Sequence, residues 1–272
     1  MKEYLREIME RSAPREAVNL IREYLQARIL ESLQEGGAWA SLAFMGGTSL
    51  RFLYRLPRFS EDLDFAMETP SPEFDFLGLI VSARARFEKE GYRTTATAST
   101  RAVVNKAFIR FPGLEHELGL SRDARRALSV KIEVDTRPPA GAGLEVTTVR
   151  RHATLRLSHH DKPSLLAGKV AALLCREWVK GRDVYDLMWY LSDPTWPEPN
   201  EILLSNALRQ SGPAYLVAEV EAWRRALVRR LGGAPWDGVK ADVERFLERT
   251  TDVWMVERET VLSVMAQRGW SE

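Results

Sequence analysis

The sequence lacks several features that define common classes of protein. Among its 272 residues there is a single cysteine, Cys175. One cysteine cannot form an intramolecular disulfide, and without a CxxC pair it provides no zinc or thiol redox motif. It lies in the apolar segment VAALLC, so we expect a buried thiol that packs as a small hydrophobic group.

Long hydrophobic runs are also missing. No stretch of about 18 apolar residues is present, which argues against a transmembrane helix. The N-terminal segment MKEYLREIMERS has charges at helical spacing and no apolar signal-peptide core. We therefore expect a soluble, cytoplasmic protein without a membrane partner.

An excess of charge of either sign is absent as well. The chain has 39 basic and 38 acidic residues and a net charge of +1, which by itself does not indicate a nucleic-acid-binding protein. The basic residues are nevertheless grouped in three places: Arg122, Arg125 and Arg126; Arg150, Arg151, His152 and Arg156; and Arg224, Arg225, Arg229 and Arg230. A solvated face explains any one group, whereas three of them are compatible with a phosphate-rich partner.

Hydrophobic periodicity divides the chain into an α/β part and a helical part. Apolar residues at three- and four-residue spacing predict an amphipathic helix over residues 15–35. A strand in WASLAF, a helix capped by Thr48, the strand DLDFAM and a helix beginning at Ser71 are predicted next. Runs rich in threonine, valine and isoleucine predict strands between residues 92 and 150. We therefore predict an α/β (α+β) domain with a mixed sheet over residues 1–155.

After about residue 155 the patterns are helical throughout. A period of 3.6 residues predicts helices over 164–179, 181–192, 200–210, 214–231 and 239–269. We therefore predict an α-helical C-terminal domain over residues 156–272. Most of the eight tryptophans lie in this half, where they most simply pack the helices. Base stacking by one or two of them stays open.

The HHD sequence at residues 159–161 is a weak candidate for a metal site. These residues come just before a helix that is expected to begin at Pro163, and aspartate is favoured at a helix N-cap. We therefore interpret them as a capping loop.

Two aspartates interrupt an otherwise apolar strand. In DLDFAM, Asp62 and Asp64 are two residues apart and therefore point to the same face, while Leu63 and Phe65 point into the core. Neighbouring carboxylates repel one another unless a cation is shared. Hard divalent cations such as Mg²⁺ prefer oxygen ligands, so the pair predicts a metal site.

The segment before this strand predicts a phosphate site. Gly46, Gly47 and Thr48 precede a short helix, and glycines let backbone N–H groups approach an anion at a helix N-terminus. A phosphate site next to paired carboxylates is suited to phosphoryl or nucleotidyl transfer. The GxxxxGK[ST] P-loop and the GxGxxG dinucleotide fingerprint are both absent.

A third carboxylate is expected from the strand KIEVD. Lys131, Glu133 and Asp135 share one face of this strand. Glu133 is central and is the predicted third carboxylate, as metal ligand and as acceptor of the hydroxyl proton, with Asp135 near the strand end as the alternative.

Two segments carry a resemblance to a known family. GGTSLRFLYRLPRFSEDLDF closely resembles the GGT…RxSxDLDF signature of the AbiEii/AbiGii-type nucleotidyltransferase toxins, which belong to the DNA polymerase β-like nucleotidyltransferase superfamily. AGKVAALLCREWVKGRDVYDLMWYL is similar to the later motifs of that family, a helical lysine followed by R…RDxYDL. The resemblance spans about residues 40–192. Within this range, residues 92–150 match only in their β-rich pattern and carry no motif.

The resemblance implies roles for individual residues. In the first segment, Gly46, Gly47 and Thr48 would hold the triphosphate of an NTP, Asp62 and Asp64 would bind Mg²⁺ or Mn²⁺, and Arg58 and Ser60 would contact phosphate. In the second segment, Lys169 would contact phosphate and Asp183 would orient Lys169 or the incoming base. Asp183 also fits an ordinary carboxylate in the first turn of a helix. Tyr185 and Asp186 are expected to be structural.

The resemblance also implies a function. It indicates a Mg²⁺-dependent nucleotidyltransferase toxin of a toxin–antitoxin system that acts in phage defence and has a cognate antitoxin protein. The implied acceptor is RNA, with the 3′ end of tRNA preferred and growth arrest as the outcome. Two alternatives stay open: transfer to a protein side chain or a small molecule such as an aminoglycoside, and a non-catalytic binding module.

Overall fold

The computed structural model describes residues 2–211 and 222–271, and it confirms the predicted α/β class. The chain forms two compact units. The first comprises residues 1–54, 59–138 and 146–159, and the second comprises residues 55–58, 139–145 and 160–272. Within the described ranges, no helix is both long enough and apolar enough to cross a bilayer.

A mixed seven-stranded sheet dominates the N-terminal part. Its strands are β1 Leu42–Met45, β2 Asp62–Met67, β3 Thr95–Ser99, β4 Val104–Pro112, β5 Ala127–Asp135, β6 Leu144–Arg151 and β7 Ala153–His160. Their order is β3-β4-β5-β2-β1-β7-β6. β2 is antiparallel to β1 and parallel to β5, and β1 is parallel to β7. The strand with the two aspartates is therefore an interior strand.

Helices accompany this sheet. They are α1 Lys2–Arg11, α2 Pro14–Glu35, α3 Gly46–Tyr54, α4 Phe76–Lys89 and the short α5 Leu114–Glu117, with a 3-10 turn at Ala38–Ala40. Apolar side chains of β1 and β2 fill the core, where the rings of Phe44 and Phe65 lie 5.3 Å apart. Burial of this apolar surface is the main force that fixes β2 and its neighbours.

The predicted starts of two helices are wrong. α3 begins at Gly46, so Thr48 lies within its first turn and does not cap it. α4 begins at Phe76, and its cap is Asp75, whose Oδ1 accepts the N–H of Gly78 at 2.9 Å. Aspartate immediately before the apolar run is a strong N-cap, which explains why the helix does not start at Ser71.

The prediction that only helices follow residue 155 is also wrong. β7 extends to His160, with Leu155 and Leu157 fully buried at alternate positions. His159 and His160 therefore belong to a strand. Asp161 is the expected cap, because its Oδ1 accepts the N–H of Ser164 at 2.9 Å.

Apart from the ends of β6 and β7 that it includes, the regular structure of the second unit is helical in its described residues. Its helices are α6 Lys162–Cys175, α7 Gly181–Leu191, α8 Glu201–Ser211, α9 Trp223–Gly232, α10 Trp236–Glu244 and α11 Arg258–Gln267, with a 3-10 helix at Thr250–Val256. The helix predicted over 239–269 is thus three shorter elements. The first part of the helix predicted over 214–231 lies outside the described residues.

A buried ion-pair network fixes α3, the helix that begins at Gly46. Arg51 of α3 is bonded to Glu23 of α2, and both are almost fully buried. Glu23 Oε1 also accepts from Arg151 Nε at 2.6 Å and contacts His152 Nε2 at 2.9 Å. Burial would raise the pKa of Glu23, but the bond from His152 and the charges of Arg51 and Arg151 lower it to about 2. The network ties α2, α3 and the β6–β7 turn together.

Candidate active site

The aspartate pair lies on the interior strand β2. Leu63 and Phe65 are fully buried, whereas Asp62 and Asp64 are partly exposed, as the alternation of a strand requires. In the sheet register Asp64 lies between Met45 of β1 and Glu133 of β5. The two carboxylates thus share the face opposite the core residues of the strand.

The glycine turn brings the backbone against this pair. Gly46 has a φ of +80°, and a Cβ placed on it would lie 2.4 Å from Asp64 Oδ2. Only glycine permits both this conformation and this approach. Thr48 Oγ1 donates to the carbonyl oxygen of Asp62, and Ser49 Oγ donates to that of Gly46 at 2.8 Å. The turn, the start of α3 and the aspartate strand are therefore fixed to one another.

Glu133 lies beside the pair and is held by two lysines. Its carboxylate is 2.5 Å from Lys131 Nζ and 3.2 Å from Lys106 Nζ. Burial would raise the pKa of Glu133, but the two lysines outweigh it and lower the pKa. Burial would lower the pKa of Lys131, but the bond to Glu133 and the charges of Asp62 and Asp64 raise it. Lys131 thus contributes positive charge to all three carboxylates.

Asp135, the alternative third carboxylate, lies further along β5. It is in register with Ala66, and its Oδ1 accepts the N–H of Arg137 at 2.9 Å. Glu133 is in register with Asp64 itself. The register therefore favours Glu133 over Asp135 as the third member of the group.

The donor set on β2 suits a hard divalent cation. Two carboxylates on one face are the protein ligands that Mg²⁺ commonly uses, with waters and substrate phosphates completing its shell. Because a Cβ on Gly46 would meet the Asp64 carboxylate, glycine at this position lets that carboxylate lie against the turn. Within the described residues, no three His, Cys, Asp or Glu side chains form a group that could hold a metal. Binding of Mg²⁺ by the pair, with substrate phosphates completing its shell, and a ligand role for Glu133 both stay predictions.

A second cluster of charged residues lies in the helical unit. Lys169 Nζ of α6 is 3.0 Å from Asp183 Oδ1 and 2.7 Å from Asp186 Oδ2, both on α7. Arg58 Nε and Nη2 donate to the two carboxylate oxygens of Asp186, each at 2.6 Å. Arg176 donates to Asp183 Oδ2. The cluster joins α6, α7 and the segment 55–58.

Three cations and two carboxylates make up this cluster. Arg58, Asp183 and Asp186 are buried, and 12% of the Lys169 side chain is exposed. Burial would lower the pKa of Lys169, but the charges of Asp186 and Asp183 raise it, so the ammonium form is favoured. Burial would raise the pKa of Asp183, but Lys169 and Arg176 lower it. Among these five side chains one positive charge is in excess, which favours an anionic ligand.

The structure sorts the sequence-predicted residues into two groups. The first unit holds Gly46, Gly47, Thr48, Ser60, Asp62, Asp64 and Glu133, and the second holds Arg58, Lys169 and Asp183. The carbonyl oxygen of Ser60 accepts from Gln26 Nε2 at 3.0 Å. Sequence reasoning missed the direct contact of Asp186 with Lys169. The three-residue spacing of Asp183 and Asp186, which places both on one helical face, is the signal that could have found it.

Comparison with solved structures shows that a nucleotidyltransferase toxin has a similar fold. MenT4, a nucleotidyltransferase toxin from Mycobacterium tuberculosis, superimposes with a TM-score of 0.61 at 16% identity, covering 99% of this chain and 92% of that chain. JHP933 from Helicobacter pylori is similar at a TM-score of 0.49 and 17% identity, covering 92% and 94% of the two chains. No curated protein matches the sequence.

A match to a protein-family model identifies the family of this chain. The model described as nucleotidyl transferase AbiEii toxin, type IV toxin–antitoxin system, matches residues 28–258. This range includes both the aspartate strand and the lysine cluster. The chain therefore belongs to the AbiEii family of nucleotidyltransferase toxins of type IV toxin–antitoxin systems.

Proposed function

We propose that this enzyme transfers a nucleoside monophosphate from an NTP to RNA in a Mg²⁺-dependent reaction, with the 3′ end of tRNA as preferred acceptor. The observation that carries the proposal is the approach of Gly46 to Asp64, which joins a phosphate-binding turn to a carboxylate pair. Such a turn accepts anions through backbone N–H groups, and the neighbouring carboxylates accept the cation that accompanies a triphosphate.

Each group of residues has a part in this reaction. Gly46, Gly47 and Thr48 would bind the triphosphate, and Asp62 and Asp64 would hold the cation. When bound, the divalent metal neutralises phosphate charge and favours the deprotonated form of the attacking hydroxyl. The acceptor hydroxyl oxygen forms a bond to the α-phosphorus and its proton passes to solvent water, while the bond from that phosphorus to the bridging oxygen breaks and pyrophosphate leaves. Because its pKa is lowered, Glu133 suits a metal ligand better than a proton acceptor.

The lysine cluster would meet the anionic parts of the substrate. The charge on Lys169 is held by Asp183 and Asp186, so its ammonium is oriented before any ligand binds. Arg58 is fixed by two hydrogen bonds to Asp186, which suits a role in positioning that carboxylate. We also propose that Arg58 contacts phosphate. Ser60 is likewise proposed to contact phosphate.

The wider role follows from the family. A type IV toxin–antitoxin system implies a cognate antitoxin. Modification of a tRNA 3′ end would block aminoacylation, so we propose growth arrest as the outcome and phage defence as the context. We also propose a cytoplasmic location, because the proposed substrates, NTP and tRNA, are found there.

The test is to locate the transferred label. Purified protein is incubated with total RNA, Mg²⁺ and each NTP in turn, labelled at the α-phosphate, and the products are separated by size. We expect label in a tRNA-sized RNA with the wild-type protein and none with Asp62→Asn. Label in protein or in a small molecule would contradict the proposed acceptor, and no transfer with any NTP would contradict the RNA transfer reaction itself.

A further inference from the structure

Trp178 is exposed in a way that most of the other tryptophans are not. In the part of the chain that the structure describes, Trp178 and Trp254 expose more than half of their surface, 61% and 55%. The others are at most partly exposed, and four of them form close edge-to-face pairs, Trp189 with Trp196 and Trp223 with Trp270. An indole left in water is a candidate for contact with a ligand.

The loop that carries Trp178 is anchored to the charged cluster. Residues 176–180 connect the end of α6 to the start of α7. The side chain of Arg176 donates to Asp183, and Arg230 Nη2 of α9 donates to the carbonyl oxygens of Arg176 and Glu177. The loop is therefore held at its first two residues, and Trp178 follows directly. A pre-positioned aromatic side chain loses little conformational entropy on binding.

The surroundings of Trp178 are basic. Arg176 and Lys180 lie in the same loop, and Arg230 contacts the loop from α9, where Arg229 is exposed. Arg176 is paired with Asp183, and against the other three cations the loop has one acidic residue, Glu177. The other exposed tryptophan, Trp254, follows Asp252 and precedes Glu257, so its setting has no comparable excess of positive charge.

This combination favours nucleic acid over protein as the ligand. Protein interfaces are centred on clustered apolar anchors, but no other large hydrophobic residue in the described parts of the loop or of α9 is exposed. Proteins that bind single-stranded nucleic acid combine cations for the phosphates with isolated aromatic rings on which bases stack.

We propose that the loop 176–180, together with Arg229 and Arg230, binds a single-stranded segment of the RNA acceptor, with one base stacked on Trp178. This inference rests on the proposed function, because it takes the acceptor to be RNA. The loop joins the cluster of Lys169 and Asp183, so the bound segment lies next to residues proposed to act on the substrate.

Binding of RNA without catalysis is the first test. A fluorescein-labelled single-stranded oligoribonucleotide of about ten nucleotides is titrated with protein in EDTA, so that no transfer can occur, and fluorescence anisotropy is recorded. Trp178→Ala should weaken binding roughly five- to 150-fold, the range for loss of one stacked base. Trp178→Phe should restore most of the affinity, and the matched control Trp254→Ala should bind like the wild type. Equal affinities for Trp178→Ala and Trp254→Ala would overturn the inference.

The arginines of the proposed surface can be tested independently through the salt dependence of oligonucleotide binding. The logarithm of the binding constant should fall with the logarithm of salt concentration, and each phosphate contact contributes about 0.7 to the slope for a single strand. Arg229→Gln should reduce that slope, whereas Arg245→Gln, an exposed arginine of the same unit outside the proposed surface, should not. Equal slopes for both variants would remove Arg229 from the surface.

Failure of the inference can be told from failure of the proposed function. If the wild-type protein labels RNA and Trp178→Ala has an unchanged KM for RNA and unchanged affinity for the oligonucleotide, the surface is wrong and the function stands. If no RNA is labelled but Trp178→Ala alone loses oligonucleotide binding, the surface stands and the proposed transfer fails. If the label enters a protein and Trp178→Ala reduces it, the surface binds protein and the inference is overturned.

Discussion

Gly46 offers the sharpest perturbation of the carboxylate site. Gly46→Ala would place a Cβ 2.4 Å from Asp64 Oδ2, well inside van der Waals contact. The backbone there has a φ of +80°, which is also unfavourable for alanine. The variant therefore combines a conformational cost with displacement of one particular carboxylate.

The chain provides a control that separates the two effects. Gly37 has a φ of +74°, and a Cβ placed on it would meet nothing within 4 Å. The left-handed conformation costs a non-glycine residue about 1–2 kcal/mol, so both variants should lose about that much unfolding free energy. Because the nearest atom is the end of a side chain and not backbone, we expect a shift of the Asp64 carboxylate to relieve most of the clash, which should then add little to the loss for Gly46→Ala. A displacement of about 1 Å in a reacting group can cost about 100-fold in rate.

Two assays separate the conformational cost from the displacement of the Asp64 carboxylate. Urea unfolding should show similar losses for Gly46→Ala and Gly37→Ala. Transfer of α-labelled NMP should fall about 100-fold in Gly46→Ala and stay near the wild-type rate in Gly37→Ala. Equal transfer rates in the two variants would show that the position of Asp64 does not matter for the reaction, and the site would have to be placed elsewhere.

Two further predictions concern the buried charges. Glu23→Gln should destabilise the protein by about 3 kcal/mol at neutral pH, because the pKa of Glu23 is lowered from 4.5 to about 2. A lowered pKa stabilises the folded state above pH 4.5. The difference in unfolding free energy between the wild type and Glu23→Gln should therefore shrink as the pH falls from 4.5 to about 2. A difference that does not depend on pH would contradict the ion-pair account. Lys169→Met should raise the apparent KM for NTP in steady-state transfer assays, because the cluster then loses its excess positive charge and the ammonium that is proposed to contact phosphate. Lys169→Arg, which keeps the charge, should retain more of the folding stability, and an unchanged KM for NTP in Lys169→Met would exclude a phosphate contact.

The carboxylate site was accessible to sequence reasoning because its signals are local. Alternation in DLDFAM is sufficient to place Asp62 and Asp64 on one face, and the structure has β2 over the predicted residues. Gly46 and Gly47, which lie in the first turn of α3, predicted a tight turn. That the turn approaches Asp64 in particular depends on the pairing of β1 with β2, which no local pattern specifies.

The lysine cluster was only partly predictable, because most of its contacts join residues that are distant in the sequence. Lys169 stood out because its neighbours in α6 are apolar. Its bond to Asp186, and the bond of Asp186 to Arg58, join residues up to 128 positions apart, and we expected Asp186 to be structural. The spacing of Asp183 and Asp186 indicates that both lie on one face of α7, but which cations face them depends on tertiary packing, which no local pattern specifies. β7 was missed although Leu155 and Leu157 alternate, because the neighbouring helical patterns are longer and stronger.

The most direct test of the central claim is NMP transfer by Asp64→Asn in parallel with Asp75→Asn. Asp75 caps α4 in the same unit, and asparagine is also a good N-cap, so this control makes the same chemical change away from the site. We predict that Asp64→Asn remains folded and loses transfer by roughly 100- to 1000-fold, the cost of losing one electrostatic contact in a transition state. Asp75→Asn should transfer at the wild-type rate. A folded Asp64→Asn protein that transfers as fast as Asp75→Asn in Mg²⁺ would contradict the assignment of the aspartate pair as the catalytic metal site.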